Sequence, residues 1–245
     1  MAGRPSRDYA ICPRKFAYGR HGVPFTTDAF FAVFGQYNTA IWPLPVAAYV
    51  AGLFALVLLR RPNRLSAILV AFILAAMWLV NGIGYHWLFF APINPLAHVF
   101  AAMFTAQAML LLGAPFAFRD LRFSPGRDLR SLAGLVMVIF AALLYPLWGW
   151  LAGHAWPQTP MFGVAPCPTT IFTVGVLLLG PWHAVRWLLV VPALWTVIGG
   201  SAAILLNVPQ DFGLIATLIV LMSFTVGHWR GDSFALRTAA HDDRS

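Results

Sequence analysis

Apolar residues occur along this chain in long blocks that are separated by short polar turns. An α-helix crosses the hydrocarbon core of a bilayer with about 20 predominantly apolar residues. By apolar length, the sequence predicts seven such spans, near residues 40–59, 65–90, 97–118, 131–153, 167–183, 186–206 and 209–229. We therefore expect an all-α fold, an integral membrane helix bundle of about seven transmembrane helices.

The least certain boundary lies between the fifth and sixth predicted spans. Residues 167–206 would extend about 60 Å as one helix, roughly twice the thickness of the hydrocarbon core. Gly180-Pro181 interrupts this block, and Trp182 and Arg186 follow it, as is typical of the membrane interface. The sequence therefore predicts a reversal of the chain at this point.

The N-terminal part of the chain is organised differently. Residues 1–24 are basic and lack an apolar signal-peptide core, so we predict an exposed tail. Residues 25–38 predict an amphipathic helix lying in the interface, capped by Thr26 or Thr27. The alternative is that this helix begins the first span. The bundle then covers residues 39–229, and residues 230–245 form a cytoplasmic tail.

Composition agrees with a membrane protein. Hydrophobic residues make up 60% of the chain and charged residues 10%, and the mean hydropathy is +0.75. The net charge of +8 does not indicate nucleic acid binding, because arginines that flank membrane spans and meet anionic lipids account for it. The expected partners are membrane lipids and possibly other membrane subunits.

The placement of arginine predicts the orientation. The loops after the second, fourth and sixth spans contain no Lys or Arg, whereas the segments after the odd-numbered spans are basic. The positive-inside rule then places the N-terminus outside and the C-terminus in the cytoplasm. The five basic residues of the N-terminal tail oppose this assignment. The eleven basic residues assigned to the inside are Arg60, Arg61, Arg64, Arg119, Arg122, Arg127, Arg130, Arg186, Arg230, Arg237 and Arg244.

This orientation collects unusual polar residues on the outer face. Polar and ionisable side chains near hydrocarbon are rare and are often functional. The stretch from Asn81 to His98 carries two histidines, a tyrosine and two asparagines between almost wholly apolar blocks, and the 153–170 loop carries more such groups. The candidate outer-face site consists of Asn81, Tyr85, His86, Asn94, His98, His154 and Cys167.

Three segments carry a resemblance to a known family. They are Phe25-Thr26-Thr27-Asp28-Ala29-Phe30, Phe89-Phe90-Ala91-Pro92-Ile93-Asn94-Pro95 and Pro166-Cys167-Pro168-Thr169-Thr170-Ile171-Phe172-Thr173. With them the chain resembles an uncharacterised family of bacterial multi-pass membrane proteins, a domain of unknown function, from about Phe25 to the seventh span. The resemblance implies the bacterial cytoplasmic (inner) membrane. It implies no activity.

The sequence leaves open whether a cofactor is bound and which one. Imidazole and thiolate ligands suit zinc or copper, and His86, His98, His154 and Cys167 are weak candidates, although no pair has the spacing of a dedicated metal motif. Haem is a second option. His86 with His98 outside, and His183 with His228 inside, would form axial pairs, but each pair lies at helix ends.

Several functional classes fit the sequence poorly. A retinal protein needs a lysine within the bundle, and the one lysine is Lys15 in the tail. Ion-coupled transporters carry ionisable groups at membrane depth. The predicted spans contain no acidic residue except Asp211 at the outer edge of the seventh. No hydrolase nucleophile motif is present, and Cys167 would act as a nucleophile only if His154 approached it.

Two functions from different classes remain. The first is a non-catalytic accessory or scaffold subunit that binds lipids, an apolar cofactor or a larger membrane complex. The second is a passive channel or uncoupled permease with a selectivity site in the outer turns. We favour the subunit, because an interior this poor in polar groups offers little to line a solvated path.

The two cysteines leave one further question open. Cys12 and Cys167 both lie outside in the predicted topology, where an oxidising compartment permits a disulfide. Such a bridge would fasten the tail across the outer face. The alternative is that Cys167 is a buried small residue at the start of the fifth helix.

Overall fold

The computed structural model of the chain describes residues 24–242, with side chains described for residues 24–227. The regular structure of this part of the chain is helical, without strands. The helices are α1 Thr27–Ala40, α2 Leu44–Leu58, α3 Arg64–Leu79, α4 Ala97–Ala117, α5 Leu129–Ile139, α6 Tyr145–Leu151, α7 Pro166–Leu177, α8 Trp182–Leu188, α9 Val190–Leu205 and α10 Phe212–Asp242. Two π-helical segments continue α3 and α5, over Val80–Phe90 and Phe140–Leu144, and a short 3₁₀ turn, Pro209–Asp211, precedes α10.

The membrane spans follow from the length and composition of these helices. Four continuous segments among the described residues are long and apolar enough to cross a bilayer, namely Arg64–Phe90, Ala97–Ala117, Leu129–Leu151 and Pro209–Gly227. Two bent pairs also qualify if each is counted as one span: α1 with α2, bent by 83°, and α8 with α9, bent by 44°. The regular structure of residues 24–242 is therefore all helical and contains four to six candidate spans by length and composition, against the seven predicted.

The difference from the prediction lies mainly in the fifth span, predicted over residues 167–183. In the structure this block forms α7, which has twelve residues and covers about 18 Å at 1.5 Å per residue. That length is short of a hydrocarbon core about 30 Å thick. The predicted span is longer than α7 because it also includes Leu178 and Leu179, which lie in the turn that follows the helix. The predicted break at Gly180-Pro181 is present, since α8 begins at Trp182.

Helix α7 forms the centre of the bundle, and all twelve of its residues are buried. A glycine pair lets it approach α5 closely. A Cβ atom built on Gly175 would lie 2.6 Å from the carbonyl oxygen of Gly134, and one built on Gly134 would lie 2.6 Å from that of Gly175. Trp78 of α3 donates from Nε1 to Thr173 Oγ1 at 2.9 Å, which fixes α3 against another side of α7.

Helix α1 begins as the sequence predicts and is separated from α2 by the sharp bend. The Thr26 hydroxyl accepts a hydrogen bond from the Ala29 amide at 3.2 Å, as expected of an N-cap. At the other end of α1, Asn38 Nδ2 donates to the carbonyl oxygens of Pro157 and Thr159, at 2.7 and 2.8 Å. These bonds tie α1 to the loop between α6 and α7.

The π-helical end of α3 determines which side chains face inward. Its wider turn is visible in the hydrogen bond from the Ala91 amide to the His86 carbonyl oxygen, five residues earlier, at 3.0 Å. Residues four and five apart therefore share one side. Asn81, Tyr85, His86 and Phe90 are all buried along it.

Candidate functional site

A cavity of about 310 Å³ lies at the end of the bundle where α3 stops and α4, α7 and α10 start. Its volume is at the lower end of the range of small-molecule sites. Helix α1, the 91–96 turn and α9 form its other walls. The lining residues are Pro24, Phe25, Phe30, Phe34, Tyr85, His86, Phe90, Asn94, Leu96, Phe100, Pro166, Cys167, Trp195, Ile198, Gly199, Ser201, Ala202, Leu205, Leu206 and Asp211.

Most of this lining is apolar and aromatic. Phe25 and Phe30 of the α1 region pack against Phe90 at the end of the π-helix, with ring centroids 5.3 and 6.1 Å apart. Helix α9 forms another wall, on which Ile198 and Leu205 are 38% and 39% exposed. The cavity therefore has an aromatic wall under α1 and an opening beside the exposed residues of α9.

His86 is the most enclosed polar side chain at the cavity. Its imidazole is 0% exposed and is surrounded by the rings of Phe104, Trp195 and Phe100, whose centroids lie 4.8, 5.0 and 5.6 Å away. Neither ring nitrogen has a hydrogen-bond partner among the described residues. A buried polar group left without a partner costs about 1–3 kcal/mol.

Tyr85 shares this property. It stacks on Phe34 at 4.6 Å, and its hydroxyl has no hydrogen-bond partner in the described part of the chain. Trp195 of α9 is 5% exposed, and its indole interacts with the Cys167 thiol. Both side chains line the cavity. Unpartnered hydrogen-bonding groups therefore meet the cavity from the π-helix, and an indole N–H meets it from α9.

An acidic group completes the polar part of the lining. Asp211, at the start of the α10 segment, is 1% exposed, and its Oδ1 accepts a hydrogen bond from the Tyr145 hydroxyl at 2.5 Å. The Cys167 thiol makes hydrogen-bonding contacts with the Asp211 carboxyl group, with Tyr145 and with Trp195. The cavity thus combines one carboxyl group, one thiol and several neutral hydrogen-bonding groups.

The structure brings together only part of the predicted outer-face set. Tyr85, His86, Asn94 and Cys167 line the cavity. The Asn94 side chain also closes its own turn, since Oδ1 accepts from the Leu96 amide at 3.2 Å. These four residues come from a π-helix, a turn and the start of α7, which the sequence placed at the same end of the bundle.

The other three residues, Asn81, His98 and His154, are not among the residues that line the cavity. Asn81 donates from Nδ2 to the Met77 carbonyl oxygen at 2.7 Å and to Thr169 Oγ1 at 3.2 Å, so it joins α3 to α7. His98 is exposed, with Nδ1 3.1 Å from the Pro95 carbonyl oxygen.

His154 instead stabilises the contact between α1 and the loop after α6. Its ring stacks on Phe31 at a centroid distance of 3.5 Å. Desolvation there lowers the pKa of His154 below its ordinary value of 6.5, and the negative charge of Asp28 acts in the opposite direction. The neutral imidazole is therefore the form that suits this contact.

Sequence reasoning did not include Trp195, Asp211 or Tyr145 in the site. Asp211 did carry a signal, because it is the only acidic residue in the predicted spans. Trp195 carries none that separates it from the other nine tryptophans. Tyr145 becomes relevant only through its hydrogen bond to Asp211, which joins two segments 66 residues apart.

The cofactor and disulfide hypotheses can be compared with this geometry. Residues 24–227 contain no group of three or more His, Cys, Asp or Glu side chains that could hold a metal ion. In the first haem pair, His98 packs edge-on against Trp87, whereas His86 lies at the cavity. The second pair includes His228, outside the described side chains. Cys12 also lies outside the described residues, and Cys167 is a buried free thiol.

Comparison with known proteins gives a family without a function. The model of a family described as a family of unknown function (DUF6064) matches residues 27–234. No curated protein and no solved structure matches the chain.

Proposed function

We propose that this chain, which belongs to the family of unknown function, is a non-catalytic membrane protein. It binds a small amphiphilic lipid or apolar cofactor in the cavity under α1. Binding of this kind suits an accessory subunit. The observation that carries the proposal is the pair of buried side chains with unpartnered polar atoms at an aromatic-lined cavity, Tyr85 and His86.

An empty, a hydrated and an occupied cavity differ in free energy. In an empty cavity the unsatisfied side chains of Tyr85 and His86 would each cost about 1–3 kcal/mol. Water would satisfy these groups but would gain nothing from the walls formed by Phe25, Phe30 and Phe90. An amphiphilic molecule satisfies both surfaces, since its polar end meets the hydrogen-bonding groups and its apolar part covers the rings.

Access to the cavity supports a ligand that arrives from the bilayer. The exposed lining residues are Leu96 in the turn and Ile198, Ser201 and Leu205 of α9, of which only Ser201 is polar. A water-soluble solute would have to pass such a rim, whereas a lipid already lies beside it. The proposed ligand therefore partitions into the membrane before it binds.

The proposal can be tested with a pair of substitutions on α9. Ala202 lines the cavity, whereas Ile204 is 69% exposed and does not line it. We expect Ala202→Phe to fill part of the cavity and Ile204→Phe to leave it unchanged. Protein would be purified from its native membranes, extracted with organic solvent, and the extract analysed by mass spectrometry for a molecule present in stoichiometric amount.

The expected result is a bound molecule in the wild type and in Ile204→Phe that is depleted in Ala202→Phe. Thermal unfolding of all three proteins would identify a folding defect, and Ser201→Leu, which alters another lining position, provides a second variant. Equal retention by both phenylalanine variants would refute the proposal. Ion or solute flux in liposomes that contain the protein alone would favour the channel instead.

A further inference from the structure

We infer that the cavity ligand is a neutral molecule whose planar ring carries hydrogen-bond-accepting oxygen atoms, the chemistry of a membrane quinone. This inference rests on the proposed function, because it names the class of ligand for the same cavity. It follows from three properties of the lining: the hydrogen-bonding character of the unpartnered groups, the absence of a cationic side chain, and the aromatic walls.

The hydrogen-bonding character is dominated by donors. The Trp195 indole N–H can only donate, the Tyr85 hydroxyl can donate, and a neutral His86 imidazole donates from one nitrogen. All three side chains are at most 5% exposed; the Tyr85 hydroxyl and the His86 nitrogens have no hydrogen-bond partner among the described residues, whereas the Trp195 indole interacts with the Cys167 thiol. The rings of His86 and Trp195 lie 5.0 Å apart, and Tyr85 is adjacent to His86 in the chain. A carbonyl oxygen between these groups would accept hydrogen bonds from them.

Charge excludes most other oxygen-rich ligands. Among residues 24–227, no Lys or Arg lines the cavity, and one carboxyl side chain does, that of Asp211. A carboxylate or phosphate headgroup would be desolvated beside it without a compensating cation, which is strongly unfavourable at a buried site. A cationic headgroup would face the donors of Trp195 and Tyr85. A neutral headgroup has no charge to leave unpaired and no repulsion from these donors.

The walls favour a ring over a flexible chain. Phe30 and Phe90 meet edge to face under α1, with an interplanar angle of 78°, and Phe34 stacks on Tyr85. Aromatic rings prefer offset or edge-to-face neighbours, and such contacts add about 0.5–1.5 kcal/mol beyond area burial. A cavity of about 310 Å³ takes a substituted ring, and the opening beside α9 lets an apolar tail extend into the bilayer.

The test compares two probes with the same tail. Decylubiquinone carries a ring with carbonyl oxygens, and decylbenzene carries a ring without oxygen. Each probe would be added to the full-length protein in nanodiscs, with empty nanodiscs as the baseline, and the retained probe would be quantified after isolation of the discs. We expect saturable retention of decylubiquinone and clearly weaker retention of decylbenzene.

Variants that remove a hydrogen-bond donor then locate the contact. Tyr85→Phe removes only a hydroxyl and should weaken decylubiquinone binding about three- to tenfold, as expected for one lost hydrogen bond, without changing decylbenzene binding by more than the scatter of the assay. Trp195→Phe removes the indole N–H together with part of the ring, so it should weaken decylubiquinone binding more than decylbenzene binding. Trp187→Phe is the matched control, because Trp187 is 59% exposed and does not line the cavity. Tyr85→Phe keeps the ring that stacks on Phe34 and so guards against a folding artefact.

The outcomes separate this inference from the proposal on which it rests. Equal retention of the two probes, or unchanged binding by Tyr85→Phe and Trp195→Phe, would overturn the quinone-class assignment while cavity binding stands. Displacement of decylubiquinone by an anionic phospholipid at equal concentration would overturn it too, since the lining has no cation for such a headgroup. Retention of neither probe, together with equal extracts from Ala202→Phe and Ile204→Phe, would refute both.

Discussion

The contact between α5 and α7 allows a prediction whose sign and size follow from the geometry. Substituting Gly175 by Ala adds one methyl group to α7, and its Cβ would lie 2.6 Å from the carbonyl oxygen of Gly134. It would also lie 3.0 Å from Val138 Cγ2 and 3.1 Å from the Val138 backbone nitrogen. The nearest atom belongs to the backbone, so no side-chain rotation relieves the clash and the two helices must separate.

The magnitude is the difference between two opposing effects. Overpacking of a close-packed interior costs about 1–3 kcal/mol, and replacing glycine by alanine within a helix recovers about 1 kcal/mol of helix propensity. We expect the upper end of the cost, because every residue of α7 is buried and the helix has no free side toward which to move. The net destabilisation is then about 2 kcal/mol, which for a chain of this size lowers Tm by about 4–8 °C.

Gly113 of α4 supplies the matched control, because a Cβ built there meets no atom within 4 Å. Gly113→Ala keeps the propensity gain without the clash, so Tm should rise by about 2–4 °C. Thermal unfolding of the purified proteins, followed by tryptophan fluorescence at one scan rate, measures both. The double variant of Gly134 and Gly175 should lose less than the sum of the single losses, since the first methyl already separates the helices. An unchanged or higher Tm for Gly175→Ala would refute the reasoning.

Three further predictions concern α1, its docking loop and the topology. Asn38→Ala removes two hydrogen bonds from α1 to loop carbonyl oxygens and should destabilise the protein by about 1–3 kcal/mol in thermal unfolding. Thr39, the next residue, makes only an exposed hydrogen bond within α1, so Thr39→Ala should have little effect in the same measurement. Because the fold lowers the pKa of His154, the stability that this histidine contributes is present above pH 6.5 and is lost as the pH falls below 6.5. Between about pH 8 and pH 5, Tm should therefore fall more steeply for the wild type than for His154→Phe. A steeper fall in His154→Phe would contradict this sign. A reporter active only outside the cytoplasm should be active when inserted near Gln158 and silent when fused after residue 230, and activity at the second position would reverse the predicted orientation.

Much of the helical organisation could be read from the sequence, because it depends on local properties. Apolar length marked the helical segments on either side of the 91–96 turn, Thr26 capped α1 as its residue type suggests, and Gly180-Pro181 ended an otherwise apolar block. The concentration of polar groups between Asn81 and His98, visible in the sequence, lies at the end of the bundle where the cavity is found. In each case a single stretch of chain contains all the residues that decide the outcome.

The tertiary structure decided what apolar length and residue type leave open. Helix α7 is as hydrophobic as a span but has only twelve residues, because the apolar count does not record where the chain turns. The π-helix rotates both Tyr85 and His86 inward, where an ordinary helical register would separate neighbouring residues. Trp195 and Asp211 join them from α9 and the start of the α10 segment. Such a site depends on packing between segments far apart in the chain, and hydrophobic pattern along one segment carries no information about which others will face it.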